Sequence, residues 1–264
     1  MGDATAATAT DAELLEVALE AANAAAPELM SRFGGSSRVR TKSTPTDLVS
    51  DADIAAETVI RELLACRRPD DAILAEEGGA SGEGELRWLI DPLDGTVNFL
   101  FGIPTFAVSV ACEDASGRMA GVVLDPVHDE CFSATRSGPA KLNGEEIVVD
   151  ERATELGLAM VATGFDYDAS VRARQGPVVS RVLPRVRDIR RAGVASIDLC
   201  WCACGRYDAY YERGPKIWDV AAGRLIAERA GLIVRELRAS GEDPAGLVAG
   251  PEGLVEELVE LVSG

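Results

Sequence analysis

In Trp88-Leu-Ile-Asp91-Pro-Leu-Asp94-Gly-Thr96-Val-Asn-Phe99, three apolar residues run straight into a carboxylate. They read as a buried strand that delivers Asp91, with Pro92 fixing the turn that follows. Asp94 comes three residues later, so both carboxylates can face one point. Gly95-Thr96 then opens a segment whose free backbone N–H groups could receive a phosphate. Two close carboxylates with almost no basic residue beside them repel each other. They coexist when protonated, as in an acid–base dyad, or when they hold cations. Oxygen donors with no His or thiolate nearby select hard ions, Mg²⁺ or Mn²⁺. Alone, the D-x-x-D spacing is equally that of a turn or a helix-capping loop.

Three more carboxylate-bearing segments stand at the ends of apolar strands or the starts of helices, where sites are built. They are Lys42-Ser-Thr-Pro-Thr-Asp47-Leu-Val-Ser-Asp51-Ala-Asp53, Ile73-Leu-Ala-Glu76-Glu77-Gly78 and Trp218-Asp219-Val-Ala-Ala-Gly223. With all four present, a metal site outweighs a set of turns. Asp51 and Asp53 have a competing reading as charges at the start of the next helix. Glu77 reads as a solvated neighbour of Glu76, and Trp88 and Trp218 as packing residues.

Working outward, Asp11 is read as the N-cap of an amphipathic helix through Phe33, ended by Gly34-Gly35. Residues 51–64 read as a second helix offering Ile54, Val59, Ile60, Leu63 and Leu64 to a core. Ala72–Ala75 and Trp88–Ile90 read as strands. Residues 106–149 read as an antiparallel sheet with turns at Ser116-Gly117 and Asn143-Gly144. After residue 155, strands and helices alternate, and 253–262 reads as a closing amphipathic helix. The expectation is one domain over 1–264, with an antiparallel-sheet half (about 1–150) and an α/β half (about 151–264).

Composition excludes several classes. With 26 Lys and Arg against 44 Asp and Glu, the net charge is −18, and the only dense basic run is 181–191. A nucleic-acid groove is therefore a poor fit. No apolar run is long enough to span a bilayer, and the start carries neither a basic n-region nor an apolar h-region. A cytoplasmic protein with no membrane partner is expected. The six cysteines, with Cys200, Cys202 and Cys204 the closest group, lack disulfide or zinc spacing and read as buried thiols. A single histidine, His128, removes Ser-His-Asp triads, His-based zinc sites and HExxH proteases unless it carries them alone; it reads as an exposed turn residue.

With these segments in order, the sequence resembles the inositol monophosphatase family of Mg²⁺-dependent, lithium-sensitive sugar-phosphate phosphatases. WLIDPLDGTVNF matches the first family signature and WDVAAG with AERAGL the second; TPTDLVSDAD and LAEEGG match the segments that precede them. The similarity spans roughly residues 40–235. It implies an α/β (α+β) layered αβαβα sandwich. It further implies a phosphoric monoester hydrolase with two or three Mg²⁺ (or Mn²⁺), and usually a homodimer.

Carried over by residue, Glu76, Asp91 and the Leu93 carbonyl would hold one metal, and Asp91, Asp94 and Asp219 a second. Thr96, bonded to Asp47, would orient the attacking water, and Glu76 would serve catalysis as well as the metal. The Gly95 and Thr96 amides would bind phosphate. Lys42 would lie near an optional third metal on the substrate side. Glu212 would bond substrate hydroxyls, and Asp198 with 193–196 would line the pocket. The expected substrate is a small polyol or sugar phosphate resembling inositol 1-phosphate. Histidinol-phosphate, fructose-1,6-bisphosphate and adenosine 3′,5′-bisphosphate are the alternatives within the fold, and a non-catalytic regulatory or binding protein is the alternative outside it. Phe101 and Val194 depart from the family pattern and are expected to reshape the pocket mouth. Arg190, Arg191, Arg213 and Lys216 are candidates for a second anionic group.

Overall fold

The computed structural model describes residues 9–35, 39–41, 48–149, 153 and 155–263. Lys42 and Asp47 lie outside the described residues.

Helix α1 (Asp11–Met30) begins with a capping box on Thr10: its hydroxyl accepts the Glu13 amide, and the Glu13 carboxylate accepts the Thr10 N–H. The cap therefore falls one residue before the expected Asp11, which sits in the first turn. After the short pair β1 (Val39–Thr41) and β2 (Leu48–Ser50) comes α2 (Asp51–Arg67), capped by Ser50. The buried face of α2 keeps Ile60 and Leu64 of the expected set, with Leu63 packed partly buried on the core, but not Ile54. Ile54 is 46% exposed, and the inward stripe is Asp53, Ala56, Glu57, Ile60 and Leu64. Two acids at helical spacing thus face inward.

Next come β3 (Ala72–Ala75), β4 (Gly79–Ser81), β5 (Arg87–Asp94), the short helix α3 (Thr96–Leu100), β6 (Ala107–Asp114), β7 (Gly117–Asp125), β8 (Glu130–Thr135), β9 (Lys141–Leu142) and β10 (Glu145–Glu146). They form one sheet in the order β10-β9-β8-β7-β6-β5-β3-β4. The expected antiparallel run holds from β5 to β10, whereas β3 lies parallel to β5. The second half supplies β11 (Met160–Thr163), α4 (Ala169–Val182), β12 (Asp188–Arg190), α5 (Ala195–Ala203), β13 (Ala209–Arg213), α6 (Ile217–Arg229), β14 (Ile233–Leu237), β15 (Gly246–Gly250) and α7 (Glu252–Ser263). Its strands order as β12-β11-β13-β15-β14. Residues 178–182 close α4, where Val178 and Val182 pack on α7 at helical spacing.

Burial separates the layers. Leu14, Ala18, Ala22, Ile60 and Leu64 of α1 and α2 pack on Trp88, Ile90, Val110 and Val122. The opposite face, with Leu89, Ala111, Val123 and Phe132, packs on Ile197, Cys200, Ala222 and Ile226 of α5 and α6. Those helices meet the second sheet through Leu199, Tyr210 and Ala249. Val161, Tyr211 and Val248 on its far face meet α4 and α7. The result is the layered αβαβα sandwich, with α5 and α6 as the middle layer.

Candidate active site

Strand β5 carries the first two acids. Residues three apart on a regular strand point to opposite faces, but the register opposes Asp91 to Ser109 and Asp94 to Ala107, with a bulge between. Three residues on β5 thus match two on β6, and both carboxylates turn toward the middle helices. Asp91 takes the Leu93 amide at 3.0 Å. Asp94 takes the Ser196 amide at 2.7 Å, in the first turn of α5. Asp219, in the first turn of α6, accepts the Lys216 N–H at 2.7 Å. Both helix starts therefore offer positive dipole ends to carboxylates. Glu76 follows β3 directly, and its amide bonds the Ile90 carbonyl at 3.1 Å, which ties the Glu76 turn to β5.

Glu76, Asp94 and Asp219 line a cleft of about 470 Å³, together with Tyr167, Arg191 and Glu212. Asp91, almost wholly buried, lies against the same acids. Burial raises its pKa well above the usual carboxylate range, and the charges of Glu76, Asp94 and Asp219 add to the effect. Burial likewise raises Asp94 to about 6, against the opposing pull of Ser196. Asp219 is pushed well up by burial and then by Asp94 and Glu76. Among the described residues, Asp91, Asp94 and Asp219 have no ion pair with Arg, Lys or His.

The Thr96 hydroxyl lies 2.9 Å from Asp53 Oδ1 and 3.1 Å from the Leu93 carbonyl, so among the described residues Asp53 is the carboxylate that bonds it; the expected partner, Asp47, lies outside them. Asp53 is completely buried, and its other oxygen accepts both the amide and the hydroxyl of Ser50. Burial raises its pKa, with the Ser50 and Thr96 hydrogen bonds opposing. One residue thus caps α2 and holds Thr96. Glu57, one turn along α2, is a further residue the sequence reading did not single out. It accepts the Glu77 and Gly78 amides, each at 2.8 Å, and so fixes the turn that presents Glu76. The signal available in the sequence was the helical spacing of Asp53, Glu57, Ile60 and Leu64.

Across the cleft, Glu212 lines the wall and its carboxyl is raised to about 7 by burial. Asp198 does not line the cleft. It is fully buried, and neither carboxyl oxygen has a hydrogen-bond partner among the described residues. Its position on the inward face of α5 puts it behind the wall, where burial drives its pKa well up. Val194 is also no part of the mouth: it is 1% exposed, and its Cγ2 lies 2.8 Å from where a Cβ on Gly95 would stand. With φ at +97°, Gly95 needs to be glycine on both counts. Phe101 is 75% exposed and lies outside the cleft lining.

Of the candidate cations, Arg191 and Lys216 line the cleft. Arg190 pairs with Asp188, and Arg213 donates to the Arg238 and Pro244 carbonyls. Trp218, read as packing, is half-buried and on the cleft wall. His128 sits in the turn between β7 and β8, its Nδ1 2.7 Å from Asp125. All six cysteines are free thiols.

The donor set fits a hard divalent cation, since the buried acids are all oxygen donors and their mutual repulsion is what a cation relieves. Among the described residues, no three His, Cys, Asp or Glu side chains stand close enough together to hold a metal ion as they are. The acids form an open cleft that a cation would draw together. No helix among the described residues is long and apolar enough to cross a membrane.

A model of the inositol monophosphatase family matches residues 10–263. Inositol-1-monophosphatase SuhB of Mycobacterium tuberculosis is 42% identical over 244 residues, 87% of this chain and 83% of that protein. Nus factor SuhB of Pseudomonas aeruginosa is 43% identical over 217 residues, 77% and 78% of the two chains. Among solved structures, the extragenic suppressor protein suhB of Bartonella henselae superposes with a TM-score of 0.86 at 34% identity, covering 94% of this chain and 97% of that one. The Thermotoga maritima IMPase gives 0.83 at 30% identity, covering 94% and 96%.

Proposed function

The chain belongs to the inositol monophosphatase family of phosphoric monoester hydrolases, and we propose that it hydrolyses a small polyol phosphate, inositol 1-phosphate or a close analogue, in a Mg²⁺-dependent reaction. The observation that carries this reading is the convergence of Glu76, Asp91, Asp94 and Asp219 on one cleft. Two or three Mg²⁺, or Mn²⁺, held by those carboxylates and the Leu93 carbonyl, supply the Lewis acidity such a hydrolysis needs.

The chain's own residues do the rest. Thr96, held by Asp53, orients the attacking water, and Glu76 borders the same space. The Gly95 and Thr96 amides receive a phosphate oxygen, and Glu212 accepts hydrogen bonds from substrate hydroxyls. Lys42 keeps the place that family resemblance gives it near an optional third metal, and Asp47 keeps its part as a partner of Thr96, beside Asp53. No His, Ser or Cys nucleophile is required. A cytoplasmic homodimer inhibited by Li⁺ belongs to the same reading.

The test is phosphate release from inositol 1-phosphate, with and without Mg²⁺, by wild type and Asp94→Asn. Activity that ignores both the metal and the substitution would sink the proposal. A panel with histidinol phosphate, fructose 1,6-bisphosphate and adenosine 3′,5′-bisphosphate, ranked by kcat/KM, fixes the substrate. The similarity to Nus factor SuhB of P. aeruginosa favours partner binding as a second reading. Equal complementation in cells by wild type and Asp91→Asn would support that reading over catalysis.

A further inference from the structure

Strand β13 carries two adjacent tyrosines with opposite surroundings. Tyr211 faces the outer layer, among Val161, Val182 and Leu258. Tyr210 faces the middle layer, fully buried among Ala195, Leu199 and Cys202. The alternation of a strand puts Tyr210 and Glu212 on the same face. There the Tyr210 hydroxyl donates to Glu212 Oε2 at 2.6 Å. On the other side, Gly164 follows β11, and a Cβ built on it would overlap the Glu212 carboxylate. Glu212 is therefore gripped by a donor from its own strand and seated in a space that only glycine leaves open.

We propose that Tyr210 is a positioning residue for substrate recognition: its hydroxyl fixes one carboxylate oxygen of Glu212 so that the other is presented to the hydroxyl groups of the leaving alcohol. The proposal rests on the polyol-phosphatase reading above. A carboxylate that can rotate meets two neighbouring hydroxyls poorly, because each misaligned hydrogen bond weakens steeply. Pinning Oε2 removes that rotation before substrate arrives, and preorganisation of this kind appears in affinity for the part of the substrate that is held. The groups that face Glu212 are Tyr210, Asp94, Arg191, Asp166, Asp198 and Asp219. Of these, only Tyr210 has a hydrogen bond to its carboxylate.

The experiment compares KM for inositol 1-phosphate, whose leaving group carries hydroxyls, with KM for p-nitrophenyl phosphate, whose leaving group carries none. Tyr210→Phe is expected to raise the ratio of the two KM values about tenfold, the size of one hydrogen bond to a charged group. Gly164→Ala moves the ratio in the same direction. In a Glu212→Gln background, Tyr210→Phe adds no further change in the ratio. Tyr211→Phe, on the opposite face, leaves it where it was. Equal losses on both esters with Tyr210→Phe, or an effect that simply adds to that of Glu212→Gln, overturns the positioning role. Wild-type protein that hydrolyses neither ester overturns the polyol-phosphatase reading itself, and the positioning role with it.

Discussion

The two ends of β5 hold acids in opposite states. At the Arg87 end, beside a hollow of about 830 Å³ that exceeds the acidic cleft, Asp71, Glu113 and Asp114 each have a guanidinium to answer them. Arg68 grips Asp71 at 2.7 Å, and Trp88 Nε1 donates to the same carboxylate at 2.9 Å. Arg136 grips Asp114 at 2.7 Å, and Arg87 pairs with Glu113. The Arg136 hydrogen bonds hold Asp114 far below the usual carboxylate range. At the Asp94 end, the same residue type is driven up by burial and by its own neighbours. The larger hollow is satisfied chemistry, whereas the smaller cleft is unfinished chemistry. Unbalanced charge identifies the working site better than volume does.

The contrast breaks most plainly at Asp91. Asp91→Asn keeps an oxygen for the Leu93 amide but removes one of four like charges. Its kcat should fall about 10³-fold, the upper range for deleting one preorganised electrostatic group. The metal-free melting temperature should hold or rise. A marked fall in melting temperature would mean that Asp91 supports the fold as Asp71 does.

A smaller loss is expected at the edge of the cleft. Thr96→Val preserves shape and removes only the hydroxyl that bonds Asp53, so kcat should drop about 10²-fold while Thr96→Ser retains most activity, as for a group positioning a proton-bearing reactant. Equal activity of the Val and Ser variants would remove Thr96 from the chemistry.

The pH dependence follows from the raised acids. Folding lifts the pKa values of Asp91, Asp94 and Asp219, so between the usual carboxylate range and the lifted values the native state binds more protons than the unfolded chain. Their contribution to metal-free stability is full at low pH and is lost as pH rises through the folded pKa values, about 6 for Asp94. A cation displaces those protons. Mg²⁺ should therefore raise the melting temperature by several degrees more at pH 8 than at pH 5, read by thermal unfolding with and without the metal. Equal increments at both pH values would contradict the coupling.

At the other end, Asp114→Asn should leave kcat/KM unchanged and lower stability by about 0.5–1 kcal/mol, as for a partly exposed pair. That corresponds to about 1–4 °C in a chain of this size. Because Asp114 is held low, its contribution disappears only in strong acid, opposite in sign to that of Asp94.

The carboxylates of the site were legible because each stands at a strand end or helix start, where local sequence fixes the backbone. Their shared face was not legible: Asp91 and Asp94 join through a bulge whose register depends on β6, a strand with no chemistry of its own. Asp53 was half visible, since a helix-capping acid and a catalytic partner look alike until Thr96 arrives from 43 residues away. Asp198 misled in the other direction, because Ala195 at the start of α5 lines the cleft and Asp198, within the same turn, does not. The layer order needed the pairing of distant strands, and β12 and β15 carried too little pattern to be seen alone.

The bond between Ser196 and Asp94 spans 102 residues, and this sets a schedule for the newborn chain. Glu76, Asp91 and Asp94 leave the ribosome well before α5 and Asp219, and domains assemble as their parts emerge. A half-made chain therefore presents three acids without the helix start that steadies one of them and without the fourth acid. The four acids first stand in one chain once α6 has emerged, with β14 and β15 of the second sheet still to come.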